Sequence, residues 1–181
     1  HYADGSRLSG HVSHHLPGVD FSTGSLGHGL SVAAGRALAA KQDGKDFRSF
    51  VVMGDGECNE GSVWEAAEFA NHYKLDNLVA FLDFNGLQID GDIREVMNST
   101  PIDKKFEAFN WNVITIDGHD YDQIKDAYAK AKECKGKPTL ILANTIKGKG
   151  VSFMENNYAW HGSAPSAEQL AQALADLEEV K

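Results

Sequence analysis

Short apolar runs alternate along the chain with longer segments in which apolar residues recur every three or four positions. A short run of mostly apolar residues predicts a buried strand, whereas apolar residues at helical spacing predict a helix with one face on a core. The predicted strands span residues 50–53, 78–83, 112–116 and 139–143. The predicted helices span residues 26–41, 60–73, 103–109, 121–135 and 167–179. Residues 1–24 contain glycines, a proline and scattered histidines, and they predict a loop.

The alternation of strands and helices predicts an α/β fold with a central, mainly parallel sheet, because each crossover helix covers a face of that sheet. No repeat, low-complexity tract or linker divides the 181 residues. We therefore expect one domain over residues 1–181, which is long enough to bury a substantial core. Ligands of such sheets bind beyond the carboxyl ends of the strands, where Asp55, Asn85 and Thr145 are expected.

Two glycines flank an acidic residue directly after the first predicted strand, in Gly54-Asp55-Gly56. Asp55 offers a carboxylate to a hard cation, and the glycines let a phosphate approach backbone N–H groups. Asn85 follows the next strand and offers an amide oxygen. Parallel strands that end side by side would bring these ligands together, which predicts a magnesium-bridged diphosphate. Two simpler interpretations stay open, since Asp55 could cap the following helix and Asn85-Gly86 favours a tight turn.

Four segments of the sequence resemble transketolase in their residues, their order and their spacing. They are residues 11–29, 54–61, 87–91 and 145–162. The resemblance covers nearly the whole chain and is to the separately encoded N-terminal subunit of split transketolases in particular. It implies a three-layer αβα fold that binds thiamine diphosphate, with the chain as the diphosphate-binding domain. It also implies a magnesium-dependent transfer of a two-carbon ketol unit from a ketose phosphate to an aldose phosphate.

The resemblance assigns the metal and the cofactor to particular positions. Mg²⁺ would be coordinated by Asp55, Asn85 and the backbone carbonyl of Leu87, and Ca²⁺ could substitute for it. Asp55 and Asn85 would contact the cofactor through the metal. The other implied cofactor contacts are Gly24, Ser25, Leu26, Gly54, Gly56, Ile89, Lys147 and His161. The first three would lie against the aminopyrimidine ring, and Ile89 would lie beside the thiazolium ring. A plain helix start with Ser25 near the cap is the simpler interpretation of that loop.

Two histidines and a glutamate receive roles in turnover and assembly from the same resemblance. His11 matches a catalytic histidine near the hydroxyls of the donor sugar, and His161 matches one near the diphosphate and the substrate. Lys147 lies in a glycine-broken loop that could fold over a phosphate, although a solvated basic loop is the simpler interpretation. Glu60 matches a glutamate at the subunit interface, and its simpler role is to favour the dipole of the helix that it begins. No role is assigned to His14, His15, His28, His72 or His119.

Composition narrows the class of protein and its surroundings. A formal net charge of −9 argues against general nucleic-acid binding. Cys58 and Cys134 are too few for a disulfide framework, so we expect reduced thiols in a cytoplasmic protein. No apolar run reaches the roughly 18–20 residues of a membrane span, which predicts no membrane insertion. The chain opens without a methionine or a signal peptide, and we expect some N-terminal sequence, including substrate-contacting histidines, to be missing.

The resemblance also implies a partner. The glutamate that activates the aminopyrimidine ring belongs to a pyrimidine-binding domain, which we expect on a C-terminal transketolase subunit, in a homodimer of this chain or a heterotetramer. Two other classes stay open. One is another thiamine-diphosphate enzyme, similar to 1-deoxyxylulose-5-phosphate synthase or to a 2-oxo acid dehydrogenase subunit; the other is a homologue that binds cofactor without turnover. His11, the segments 16–18 and 23–27, and Trp160-His161-Gly162 favour transketolase.

Overall fold

A parallel sheet forms the centre of the molecule. The computed structural model describes residues 5–7 and 10–179, so that residues 1–4, 8 and 9 of the predicted loop over 1–24 lie outside the described residues. The strands are β1 (Ser49–Gly54), β2 (Leu78–Phe84), β3 (Leu87–Gln88), β4 (Gly91–Asp92), β5 (Asn112–Asp117) and β6 (Thr139–Asn144). Strands β1, β2, β6 and β5 pair in that order and are all parallel, while β3 and β4 form a short antiparallel pair. The predicted, mainly parallel sheet is confirmed.

Helices occupy the segments that connect these strands. They are α1 (His28–Gln42), α2 (Gly61–His72), α3 (Ile93–Val96), α4 (Ile102–Ala108), α5 (Tyr121–Glu133) and α6 (Ala167–Glu179), with 3₁₀ helices at Gly56–Asn59 and Tyr158–Trp160. Each predicted helix is present with ends shifted by at most two residues; α3 and the 3₁₀ helices were not predicted. Among the residues that the structure describes, no helix is both long and apolar enough to cross a bilayer.

The sheet is the middle of three layers. Successive residues of a strand face opposite sides, so that Leu140 and Leu142 of β6 belong to one core while Ile141 belongs to the other. Helices α1, α2 and α4 cover the first side, and α5 covers the second through Ala127 and Ala131. The expected three-layer αβα arrangement is therefore confirmed, with a mainly parallel sheet between the helices.

Strand β1 differs from the buried strand that its apolar run predicts. Phe50 is 58% exposed and Val52 is 73% exposed, whereas Met53 is buried against the α1–α2 layer. The reason is position: within the described residues β1 lies at the edge of the sheet. Helix α5 packs chiefly against β5, and its Tyr128 contacts Phe50 of β1 edge-on, with ring centroids 5.7 Å apart. One face of β1 is consequently open.

The parallel register brings the ends of the strands to one edge. Gly54 at the end of β1 lies opposite Asp83, and Asn144 of β6 lies opposite both Phe84 and Asp117. The segments that follow β1, β2 and β6 therefore leave the sheet side by side, as the sequence predicts for Asp55, Asn85 and Thr145. This edge carries the candidate site.

Candidate cofactor and metal site

Asp55 joins the end of β1 to the turn that follows β2. Its side chain is buried, with 1% of the residue exposed. Oδ1 accepts a hydrogen bond from the N–H of Gly56 at 2.8 Å, and Oδ2 accepts one from the N–H of Gly86 at 2.5 Å. The first contact caps the 3₁₀ helix, as the simpler interpretation of Asp55 predicts. The second places the carboxylate beside Asn85, so capping and proximity to the second candidate ligand occur together.

The Asp55 carboxylate lies in surroundings that favour a cation. Burial raises its pKa above the usual value, and the hydrogen bonds from Gly86 and Gly56 oppose that rise. The nearby Asp83 carboxylate raises the pKa of Asp55 further, and Asp83 itself accepts a hydrogen bond from the Thr145 hydroxyl. A bound cation would offset both the burial and the repulsion, because it stabilises the ionised form.

Asn85 lies in a tight turn between β2 and β3. Its Oδ1 accepts a hydrogen bond from the N–H of Leu87 at 3.0 Å, and Gly86 adopts φ 78°. This is the tight turn that Asn85-Gly86 favours. An amide oxygen has two lone pairs, so one acceptor site of Oδ1 stays available to a metal. The turn therefore presents Asn85 and Leu87 on the same short segment, next to Asp55.

The donor set fits a metal-bound diphosphate. A carboxylate, an amide oxygen and a backbone carbonyl are the hard oxygen ligands that Mg²⁺ and Ca²⁺ select. Within the described residues, no group of three or more His, Cys, Asp or Glu side chains could hold a metal, so this mixed set is the candidate. Nε2 of Gln88 is a buried donor with no partner among those residues, and a Cβ on Gly56 would lie 3.0 Å from the Cβ of Gln88. The loop thus keeps one donor for an anionic oxygen.

The loop expected to contact the cofactor ring lies beside His11. A Cβ placed on Gly24 would lie 3.3 Å from the His11 ring, and the N–H of Thr23 donates to the Val12 carbonyl at 3.0 Å. The structure therefore brings His11 and Gly24 together. Ser25 lies near the start of α1, two residues before its N-cap Gly27, and no side chain caps the helix.

Two apolar side chains near this edge are left uncovered. Leu26 is 56% exposed and Ile89 is 61% exposed. They flank the Asp55 loop, because Gly27 contacts Glu57 and Gln88 packs on Gly56. These are the positions for which the resemblance to transketolase implies ring contacts.

Lys147 and His161 meet at the end of β6. Lys147 Nζ lies 3.2 Å from His161 Nδ1, although 14 positions separate them in the sequence. The N–H of Ile146 donates to Nε2 of His119 at 2.8 Å, which fixes the start of this loop. His119, to which the sequence assigned no role, therefore orients the segment that carries Lys147. A Cβ on Gly148 would lie 2.5 Å from the Met154 carbonyl, so the loop turns too tightly there for any side chain.

Two glutamates of the Asp55 loop have different surroundings. Glu60 is exposed and is the N-cap residue of α2, without a side-chain capping bond. Glu57, which the sequence analysis overlooked, accepts hydrogen bonds from the N–H of Gly27 at 2.8 Å and from the N–H of Gly54 at 3.2 Å. The Gly27 contact spans 30 positions, so no local spacing signals it. The only signal in the sequence is that Glu57 is an acidic residue two positions after Asp55.

Known proteins resemble the chain in sequence and in fold. Residues 2–177 match the family described as the thiamine diphosphate binding domain of transketolase. The chain is 46% identical over 175 residues to an apulose-4-phosphate transketolase subunit of Phocaeicola vulgatus, in a match that covers 97% of this chain and 62% of that protein. It is 47% identical over 161 residues to the 6-deoxy-6-sulfo-D-fructose transketolase subunit SqwG of a Clostridium species, in a match that covers 89% of this chain and 58% of that protein.

The same relationship holds for a solved structure. The crystal structure of transketolase from Campylobacter jejuni matches with a TM-score of 0.83 at 34% identity, over 89% of this chain and 26% of that one. The chain thus spans only part of the length of the two subunit relatives, 62% of one and 58% of the other. The chain belongs to the transketolase family and corresponds to its thiamine-diphosphate-binding domain.

Proposed function

We propose that this chain is the cofactor-binding subunit of a split transketolase. With Mg²⁺ and a partner subunit it transfers a two-carbon ketol unit from a ketose phosphate to an aldose phosphate. The observation that carries the proposal is the contact between Asp55 Oδ2 and the N–H of Gly86, at 2.5 Å, which unites two ligand-bearing loops at the sheet edge. The names of the two subunit relatives support a split enzyme, and they differ in the sugar that they specify.

In this proposal the Asp55 edge holds the metal and the diphosphate. Asp55, Asn85 and the carbonyl of Leu87 hold Mg²⁺, and Ca²⁺ can replace it because the ligands are all oxygens. Gly54 and Gly56 admit the phosphates close to the backbone, and Gln88 adds a side-chain donor. When bound, thiamine diphosphate supplies the carbon nucleophile and the electron sink that cleavage of a sugar requires.

The two exposed apolar residues beside the Asp55 loop, Leu26 and Ile89, hold the rings of the cofactor. Leu26, with Gly24 and Ser25, packs against the aminopyrimidine ring, and Ile89 packs beside the thiazolium ring. Both apolar side chains are more than half exposed in this chain, so a planar ligand can remove them from water. Small residues at positions 24 and 25 allow backbone hydrogen bonds to a flat heterocycle.

The histidines act on the substrate side of the cofactor. His11, which packs on Gly24, hydrogen-bonds a hydroxyl of the donor sugar. Nδ1 of His161 lies 3.2 Å from the Lys147 ammonium, and together the two side chains face the diphosphate and the substrate. An imidazole that accepts from the ammonium at Nδ1 still offers its Nε2–H as a donor. In this arrangement Lys147 donates to an anionic oxygen and His161 donates to a hydroxyl.

Replacing His11 by alanine should impair turnover and spare cofactor binding. Loss of a hydrogen bond to the substrate is expected to lower kcat/KM about 10–100-fold. Steady-state kinetics on the assembled enzyme, together with calorimetric titration of thiamine diphosphate, measure the two effects. His72→Ala is the matched control, because His72 is exposed at the end of α2 that lies away from the strand ends. A collapse of cofactor affinity with unchanged kcat would show that His11 serves the cofactor instead.

Assembly is part of the same proposal. Glu60 is exposed at the start of α2, where a second subunit can reach it, and we place it at the interface of a homodimer or heterotetramer.

A cytoplasmic location agrees with the cysteines: both are free thiols, and burial raises the pKa of Cys58 to about 12. Cys58 therefore stays neutral and unreactive.

Two assays test the function and separate it from the alternatives. Calorimetry of the chain with thiamine diphosphate, in Mg²⁺ and then in EDTA, should show binding only with the metal. The chain combined with its partner should form product from a ketose phosphate donor and none from pyruvate. Product from pyruvate would favour the synthase or dehydrogenase class. Binding without turnover from any donor would favour a non-catalytic homologue.

A further inference from the structure

A single carboxylate links the two loops to which the proposed function assigns the two ends of the cofactor. Glu57 Oε1 accepts the N–H of Gly27, at 2.8 Å, from the loop that carries Leu26. Oε2 accepts the N–H of Gly54, at 3.2 Å, from the end of β1 directly before Asp55. One side chain thus bridges the ring loop, residues 24–27, and the diphosphate loop, residues 54–56.

Gly27 is held at both of its peptide groups. The Ser62 hydroxyl donates to the Gly27 carbonyl at 3.0 Å, opposite the Glu57 bond to its N–H. Gly27 adopts φ 79°, and a Cβ there would lie 2.5 Å from Ser62 Oγ and 2.6 Å from the Cβ of Glu60. The backbone at this point approaches the start of α2 too closely for any side chain. The ring loop is therefore anchored at its last residue.

The Glu57 charge also lies where α1 lacks acidic residues of its own. Helix α1 has no acidic residue in its first turn and no side-chain cap, and Gly27 is its N-cap. A carboxylate bound to the N-cap N–H stabilises the start of a helix through its dipole. Glu57 supplies that carboxylate from a separate segment of the chain, so the start of α1 is oriented by the diphosphate loop.

We propose that Glu57 is a positioning residue that fixes the ring loop relative to the diphosphate loop and so sets the affinity for the intact cofactor. This inference rests on the proposed function. Loops held in their bound arrangement lose less conformational freedom when a ligand binds. A ligand that touches both loops gains from Glu57, whereas a ligand that touches only the diphosphate loop gains much less. Thiamine diphosphate is the first kind of ligand, and inorganic pyrophosphate is the second.

The Glu57→Gln variant tests this with little change in shape. Glutamine keeps one acceptor oxygen and turns an NH₂ group toward the second backbone N–H, so one of the two bonds is lost. Affinity for thiamine diphosphate with excess Mg²⁺ should fall about tenfold, while affinity for pyrophosphate with Mg²⁺ should change less than about threefold. Calorimetric titration of the full chain measures both. Glu133→Gln is the matched control, because Glu133 is exposed at the end of α5, near the opposite edge of the sheet.

A second variant and a second measurement cover the possibility that Glu57→Gln does not fold. Ser62→Ala removes the other anchor of Gly27 and should also weaken thiamine diphosphate more than pyrophosphate. The reference is the amide of Gly136, a half-buried loop glycine that loses its acceptor in the Asp76→Ala variant. In the unaltered chain, the Gly27 amide should exchange with solvent at least about tenfold more slowly than this reference. A Gly27 amide that exchanges as fast as that reference contradicts the link.

The outcomes separate this inference from the proposed function. If the unaltered chain binds neither thiamine diphosphate nor pyrophosphate with Mg²⁺, the proposed function is wrong and the inference with it. If the chain binds both ligands and Glu57→Gln weakens neither, or weakens both by the same factor, the positioning role alone is wrong. A selective loss of affinity for thiamine diphosphate supports the positioning role.

Discussion

Replacing Asp55 by alanine is expected to abolish the metal-dependent binding of thiamine diphosphate. The substitution removes the one charged ligand of the proposed Mg²⁺ site and leaves Asn85 and a backbone carbonyl, which are neutral. Residues that merely support a ligand typically change metal affinity about 10–100-fold, so a lost ligand should exceed about a hundredfold. Calorimetric titration of the chain with thiamine diphosphate at saturating Mg²⁺ measures the effect.

The same substitution should also lower the free energy of unfolding. Asp55 is 1% exposed, and its carboxylate accepts the N–H groups of Gly56 and Gly86. Leaving those donors without an acceptor costs about 1–3 kcal/mol. The variant should still fold, and urea denaturation followed by circular dichroism measures the loss.

Two further variants distinguish the loss of a metal ligand from a loss of folding stability. Asn85→Leu removes a ligand oxygen and adds bulk, and it should weaken the cofactor in the same metal-dependent way. Asp126→Ala is the control, because Asp126 is exposed on α5, which covers the face of the sheet opposite to α1 and α2. If Asp55→Ala bound thiamine diphosphate as tightly as the unaltered chain, the assignment of Asp55 to the metal would be wrong.

Much of the sheet and of the metal edge could be predicted because the strands are encoded locally. Each apolar run marks a strand, and the intervening helices make the strands parallel. Once the strands are parallel, their carboxyl ends lie at the same edge, which predicts that Asp55 lies beside Asn85. In the structure Asp55 accepts the N–H of Gly86, the next residue after Asn85, across 31 positions. The helix start at 26 was early by two residues, because Gly27 has a positive φ and ends the loop.

The remaining features depend on contacts that leave no periodic pattern. Glu57 reaches Gly27 across 30 positions, and His119 reaches Ile146 across 27, in both cases through a backbone N–H that every residue type but proline shares. The exposure of Phe50 followed from the place of β1 in the sheet order, which an apolar run does not reveal. Local pattern thus predicts the elements, while the order of strands and the side-chain bridges require the structure.

The chain alone is expected to show no ketol transfer above background, and to gain it when a partner supplies the pyrimidine-binding domain. Residues 2–177 match the thiamine-diphosphate-binding domain, and the resemblance places the activating glutamate on the other domain. Leu26 and Ile89 are more than half exposed beside the Asp55 loop. In the proposed arrangement a cofactor would pack on them with one face and leave its other face to the partner. A partner that covers this face would exclude water from the reacting centre and complete the acid–base machinery.

Product formation from a ketose phosphate and an aldose phosphate, with thiamine diphosphate and Mg²⁺, measures the effect of adding the partner. General acid–base catalysis alone contributes about 10²–10⁴-fold, so activity should rise by at least about a hundredfold when the glutamate is supplied. Analytical ultracentrifugation should show assembly in the same mixture, and Glu60→Ala should weaken that assembly without changing metal binding. Adding the partner to Asp55→Ala should restore nothing, since the metal ligand would still be missing. Full activity from a monomeric preparation without partner would overturn the division of labour between the two chains, because this domain would then supply its own activating group.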